Sequence, residues 1–108
     1  MEMTVTDFEH FKVVKLSGEV DLHNSREVKN LLLAKLQAME HILVDFAELD
    51  YIDSSGMATL VEAFNLSRNK ALAFHIVGAK GAPLQVLQLT RLDSVFSLLE
   101  SFDQALGE

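Results

Sequence analysis

The sequence predicts an α/β domain in which a sheet of four to five strands is covered by about four helices. Two observations carry that prediction. Short apolar runs with strand-like spacing alternate with longer runs whose apolar residues recur at helical spacing, in the order β-β-α-β-α-β-α-(β)-α. One of the runs, "HILVDFAEL", is almost continuously apolar, as expected of a strand buried on both faces.

The elements follow in order. Met3, Val5 and Phe8, then Phe11, Val13 and Leu16, have strand-like spacing around "DFEHF", which reads as a tight turn. The result is a β-hairpin ending at Gly18. "GEVDLHNSRE" then reads as a loop into a helix, with Asn24 and Glu27 at the spacing of a capping box. Val28, Leu31, Leu32 and Leu36 supply that helix's buried face. After "HILVDFAEL", the stretch "AELDYIDSSG" reads as a loop, with Asp45 and Asp50 flanking it and bonding its backbone. Met57, Leu60, Val61 and Phe64 lie at i, i+3, i+4 and i+7, so a helix starts near Ser54 with Asp53 as N-cap. "ALAFHIVGAKG" is a strand with a glycine-marked exit. Pro83 suits the first turn of a third helix, where a missing N–H costs little. "SVFSLL" reads as a short edge strand, and "SFDQAL" as a last helical turn or two capped by Ser101. Phe64, Leu87 and Phe96 are assigned to the core. Loops leaving the strand C-termini, "GEVDLHNS", "AELDYIDSSG" and "GAKGA", are expected on one sheet edge, where ligands and partners meet such folds.

Composition narrows the function. The chain of 108 residues suits one domain spanning 1–108, without repeat, low-complexity tract or linker. A formal net charge of −7 disfavours non-specific binding to nucleic acid or to an anionic membrane and favours a protein partner with a basic face. The chain has no cysteine, so disulfides and thiolate chemistry are excluded. The acidic, alternating N-terminus is unlike a signal peptide, and no apolar run approaches a membrane span; a cytoplasmic protein without direct membrane contact is expected.

The chemistry concentrates at "DYIDSSGMATLVEAF". Small polar residues are common helix caps, so capping is the plainest reading of Ser54 and Ser55. Asp53, however, already supplies a cap and would leave both hydroxyls spare. Gly56 costs a helix interior about 1 kcal/mol relative to alanine and bares backbone to which a partner or phosphoryl group can come close. A catalytic Ser54–His23–Asp21 constellation is disfavoured, because neither a G-x-S-x-G elbow nor a recognisable oxyanion hole is present. The four histidines, His10, His23, His41 and His75, are dispersed and make no metal-ligand pair, so no metal or cofactor is expected. Lys80 lies between glycines but outside any phosphate-loop pattern and reads as a solvated lysine.

These residues resemble the STAS domain, and within it the bacterial anti-sigma factor antagonists. Asp53-Ser54-Ser55-Gly56 is similar to that family's signature at a helix start. "VVKLSGEVDLHNSREVKNLL", with Gly18, Glu19 and Asp21, and "LQLTRLDSVFSLLESFDQAL" are similar to its opening and closing motifs. Two departures stand out: Met57 and Ala58 replace the frequent Leu-Gly, and Arg91 replaces a glycine. The resemblance implies a mixed sheet with helices largely on one side. It also implies a non-enzymatic binding module of a partner-switching pathway. The unphosphorylated form would hold an anti-sigma factor that is also a GHKL-type serine kinase. Phosphorylation at Ser54 would release it, and a PP2C-type phosphatase would reset the switch. The partner-binding residues implied are Asp21, His23, Asn24, Asp53, Ser54, Ser55, Gly56 and Met57, on a protein expected to be monomeric when free. The alternative is a non-phosphorylated STAS subunit of an ABC-type lipid transport assembly, in which threonine often replaces the first serine.

Overall fold

The computed structural model describes residues 1–107; Glu108, which closes the expected domain, lies outside them. The elements are β1 (Glu2–Phe8), β2 (Phe11–Val20), α1 (Ser25–Gln37), β3 (His41–Ile52), α2 (Ser54–Asn69), β4 (Phe74–Val77), α3 (Gly81–Leu89) and β5 (Ser97–Leu99), with 3-10 segments at Leu92–Ser94 and Phe102–Gly107. The strands form one sheet in the order β1-β2-β3-β4-β5. The hairpin makes β1 and β2 antiparallel, and every later pair is parallel. Each parallel step is bridged by one helix. Because the strand order advances steadily and such crossovers are right-handed, α1, α2 and α3 fall on the same face.

Strand alternation divides the core accordingly. Val14, Leu16, Ile42, Val44, Phe46, Phe74 and Ile76 point towards the helices and pack with Val28, Leu32, Leu36, Leu60, Ala63 and Leu87. Phe11, Val13, Leu43, Val77 and Leu99 point the other way. The expected last helical turn covers them: it is a 3-10 helix on the opposite face, held by Ala105 and by Phe102, whose ring lies 5.5 Å from that of Phe8. Ser101 contributes its carbonyl to this turn, accepting from the Gln104 N–H at 3.3 Å.

Three local expectations change. First, β3 does not stop at "FAEL" but runs to Ile52 beside β2, which runs to Val20. Two register shifts, between Lys15 and Ser17 and between Gly18 and Glu19, accommodate the mismatch. Asp45 lies in β3 rather than beside a loop, and its carboxylate accepts the Ala47 N–H at 2.9 Å where the strand bulges. Asp50 is exposed in the same strand. Second, residues 46–52 extend past the last pair with β4, Asp45↔Val77. At roughly 3.3 Å per residue this arm reaches about 20 Å further. The "GAKGA" segment therefore stands well below the β2–α1 and β3–α2 junctions instead of sharing their level. Third, Asn24 builds no capping box. It makes no side-chain cap bond; its Oδ1 accepts from the Asp21 N–H at 2.9 Å and its Nδ2 donates to the Glu19 carbonyl at 3.0 Å. Asn24 braces the loop, not the helix.

Candidate functional site

The site is built at the tip of the β2–β3 arm. A single residue, Asp53, separates β3 from α2, and its N–H donates to the Val20 carbonyl at 3.1 Å, tying the two strand ends together. Asp53 has extended backbone (φ −97°, ψ −174°), so its side chain can turn back over the first helical turn. Its Oδ1 accepts from the Gly56 N–H at 3.1 Å and from the Ser55 hydroxyl at 2.5 Å. The Ser55 hydroxyl, followed by the backbone N–H groups of Gly56, Ser55 and Leu22, holds the Asp53 carboxyl below the usual aspartate range against the opposing effect of burial.

The two serines are thereby made unequal. Ser55 is committed to Asp53. Ser54 is exposed, and its hydroxyl makes no hydrogen bond among the described residues. So Asp53 does not leave both hydroxyls spare; it engages one and leaves the other to solvent.

Gly56 and Met57 face inward. Gly56 is buried, and a Cβ there would stand 2.6 Å from Ile52 Cγ1 and 2.9 Å from Val20 Cγ1. Glycine is required so that α2 can start directly against the strand ends. This replaces its expected role as clearance for a partner. Met57 is 3% exposed and packs into the core, so neither residue offers a side chain to a docking protein.

The loop over residues 21–24 lies alongside. The Asp21 carboxylate accepts the His23 backbone N–H at 2.9 Å, and the Asp21 carbonyl accepts from Ser25 N–H at 2.9 Å. The His23 ring has no hydrogen bond to Ser54 or Asp21 among the described residues, so the Ser54–His23–Asp21 constellation is not assembled. Sequence reasoning passed over two residues here. Leu22 is 75% exposed, and Arg26 lies with it on a shallow groove of about 290 Å³ between α1 and α2, walled also by Ala58 and Thr59. Lys29 crosses that groove to Glu62 at 3.3 Å. The one available signal for Leu22 was an apolar residue stranded in a polar loop.

The remaining candidates have structural roles. His41 Nδ1 accepts the Ala73 N–H at 3.0 Å, His75 is buried in β4, and no group of three or more metal-ligating side chains gathers among the described residues. Lys80 precedes α3 without a side-chain cap bond. Phe96 and Leu87 are buried, and Phe64 stacks edge-on against Phe96 at 5.4 Å. Arg91 takes a left-handed backbone (φ 61°) after α3, a position that suits glycine. No helix among the described residues is long and apolar enough to cross a membrane.

Comparison with known proteins agrees with this architecture. The chain is 25% identical over 107 residues to an anti-sigma F factor antagonist of Paenibacillus polymyxa, covering 94% of this chain and 92% of the relative. An anti-sigma factor antagonist structure from Mycobacterium paratuberculosis superposes with a TM-score of 0.84 at 23% identity, covering 98% and 91% of the two chains. The Bacillus cell fate determinant SpoIIAA in its phosphorylated form superposes at 0.76 with 16% identity, covering 98% and 97%. Its unphosphorylated form does so at 0.80 with 19% identity, covering 97% and 93%. The STAS domain family model matches residues 2–105, nearly the whole of the chain, and the chain therefore belongs to the STAS domain family.

Proposed function

We propose that the protein is a cytoplasmic, non-enzymatic binding module that antagonises an anti-sigma factor and is switched by phosphorylation of Ser54. The unphosphorylated form holds an anti-sigma factor that doubles as a GHKL-type serine kinase. Transfer of a phosphoryl group to Ser54 releases that partner, and a PP2C-type phosphatase restores binding. One observation carries the reading: Ser54 is the exposed, unengaged hydroxyl at a helix start whose cap and neighbouring hydroxyl are already satisfied. The relatives named as anti-sigma factor antagonists support the partner class.

The physics suits a switch. A phosphoserine brings about −1.5 to −2 charge at pH 7. The dipole at the start of α2 favours such a charge by about 0.3–1 kcal/mol, so the modified chain stays folded. A partner docked on the same edge must instead desolvate a dianion beside the Asp53 and Asp21 carboxylates. That costs several kcal/mol, where about 1.4 kcal/mol is a factor of ten in affinity. Both phosphorylation states of SpoIIAA have this fold, which supports blockade at the surface over refolding.

The test is mapping and capture. Chain isolated from its native cells should carry phosphate on Ser54 and none on Ser55. Ser54→Ala should retain a kinase-like partner in pull-downs that chain bearing phosphoserine at 54 loses. Phosphate on Ser55, or equal retention by both forms, would overturn the reading.

A further inference from the structure

We propose that Arg26 is a built-in receiver for a phosphoryl group on Ser54, closing an ion pair across the mouth of the α1–α2 groove. This rests on the reading of Ser54 as an acceptor. The covalent step is ordinary: the γ-phosphoryl group of ATP moves to Ser54 Oγ, the hydroxyl proton leaves to solvent, and ADP departs. The contact that follows makes no further bond.

The placement of Arg26 is the first observation. It is the second residue of α1, at the positive end of the helix dipole, where a cation is disfavoured. Its isolation is the second. Of the cations on α1, Lys29 pairs with Glu62 and Lys35 with Glu40, whereas Arg26 has no ion pair or hydrogen bond among the described residues. An exposed cation held against the dipole, with no anion to hold it, fits a site awaiting an anion.

Proximity is the third. Arg26 and Ala58 wall the same groove, and the Thr59 hydroxyl meets the Ser25 carbonyl at 3.5 Å, so the first turn of α1 lies against the start of α2. Ser54 lies four residues before Ala58 on the same side of α2, about 6 Å along the axis, a span within the length of an arginine side chain. The Asp53 carboxylate carries a single charge and its Oδ1 already accepts from Ser55 and Gly56, so a phosphoserine with about −1.5 to −2 charge is the stronger anion for the guanidinium. A phosphate offers unengaged oxygens to the planar fork, which binds such groups through paired hydrogen bonds. Once closed, the pair would lie over exposed Leu22 and deny it to a partner. The phosphate would thus block docking by occupying the groove as well as by charge.

The experiment needs no kinase, so it stands apart from whether cells modify Ser54. Phosphoserine is installed at position 54 of the full chain by genetic-code expansion, and its phosphorus resonance is titrated. The charged and titratable groups around it are Asp53, Asp21 and His23 on the junctions, Arg26 and Lys29 on α1, and Glu62 on α2. In the unsubstituted background the monoanion–dianion midpoint should lie about half a unit lower than in Arg26→Gln. The Arg26 Nε–H resonance should move with the same midpoint, and Lys29→Gln should leave both unchanged. Arg26 is on the surface, and equal thermal midpoints would verify that the variants fold. Identical titrations with and without Arg26, or a change matched by Lys29→Gln, would overturn the proposal.

Discussion

The starts of α2 and α3 both follow a parallel strand, yet they are built in opposite ways. At α2 a single residue joins strand to helix, its carboxylate Oδ1 takes two hydrogen bonds, and Gly56 packs directly on Ile52 and Val20. At α3 three residues intervene, Lys80 supplies no side-chain cap, and nothing lies within 4 Å of where a Gly81 Cβ would be. The α3 start opens on a cavity of about 360 Å³ lined by Gly78, Lys80, Leu84, Leu99 and Glu100. The contrast shows how a hydroxyl can be left exposed without local looseness. Asp53 engages the Ser55 hydroxyl and the Gly56 N–H on the same turn, so the free Ser54 hydroxyl rests on a rigid seat.

The sharpest way to break this contrast is at the glycines. Gly56→Ala should cost about 1–3 kcal/mol in urea unfolding, because the new methyl must displace Ile52 and Val20. Gly81→Ala meets no neighbour and should lose only about 1 kcal/mol, from its left-handed backbone (φ 57°). If Gly56→Ala is neutral or stabilising, the seat beneath α2 is not rigid.

The caps come next. Asp53→Ala should cost about 1 kcal/mol, whereas Lys80→Ala should stay within about 0.5 kcal/mol. The Asp53 effect must depend on pH. Its carboxyl is held below the usual range in the folded chain, so the contribution is present above the unfolded carboxyl's pKa. It is lost as the pH falls through the depressed folded value. The stability gap between the unsubstituted chain and Asp53→Asn should therefore narrow in acid. A gap that widened there would show that the cap does not act through the carboxylate.

The serines provide a smaller and more selective test. Ser55→Ala removes a hydroxyl bonded to a carboxylate and should cost about 0.5–1.5 kcal/mol, while Ser54→Ala should stay within about 0.5 kcal/mol. Equal losses would mean that the two hydroxyls are interchangeable. The smallest effect lies far from the site. Arg91→Gly should gain about 0.5 kcal/mol by relieving a left-handed residue, measured as a small rise in the unfolding midpoint.

Much of this was legible in the chain. Periodicity located the hairpin and the first two α-helices, because burial on one face imposes period 2 or 3.6 whatever the partner is, and Pro83 marked the start of the third helix. Asp53 was recognisable as a cap because capping is settled within four residues. What lay beyond that range was not legible. The strand character of "AELDYI" comes from backbone pairing with β2, against a polar local sequence. The duty of Gly56 depends on Ile52 and Val20, one of them from a distant strand. α1 and α2 end on left-handed Met39 and Ala71, which gave no glycine signal, because bonds from the Glu40 and Leu72 N–H groups back to the Lys35 and Ser67 carbonyls close those ends. Ser54 and Ser55 are chemically the same residue in neighbouring positions. Only the folded helix, which sets successive side chains about 100° apart, turns one towards Asp53 and the other towards solvent.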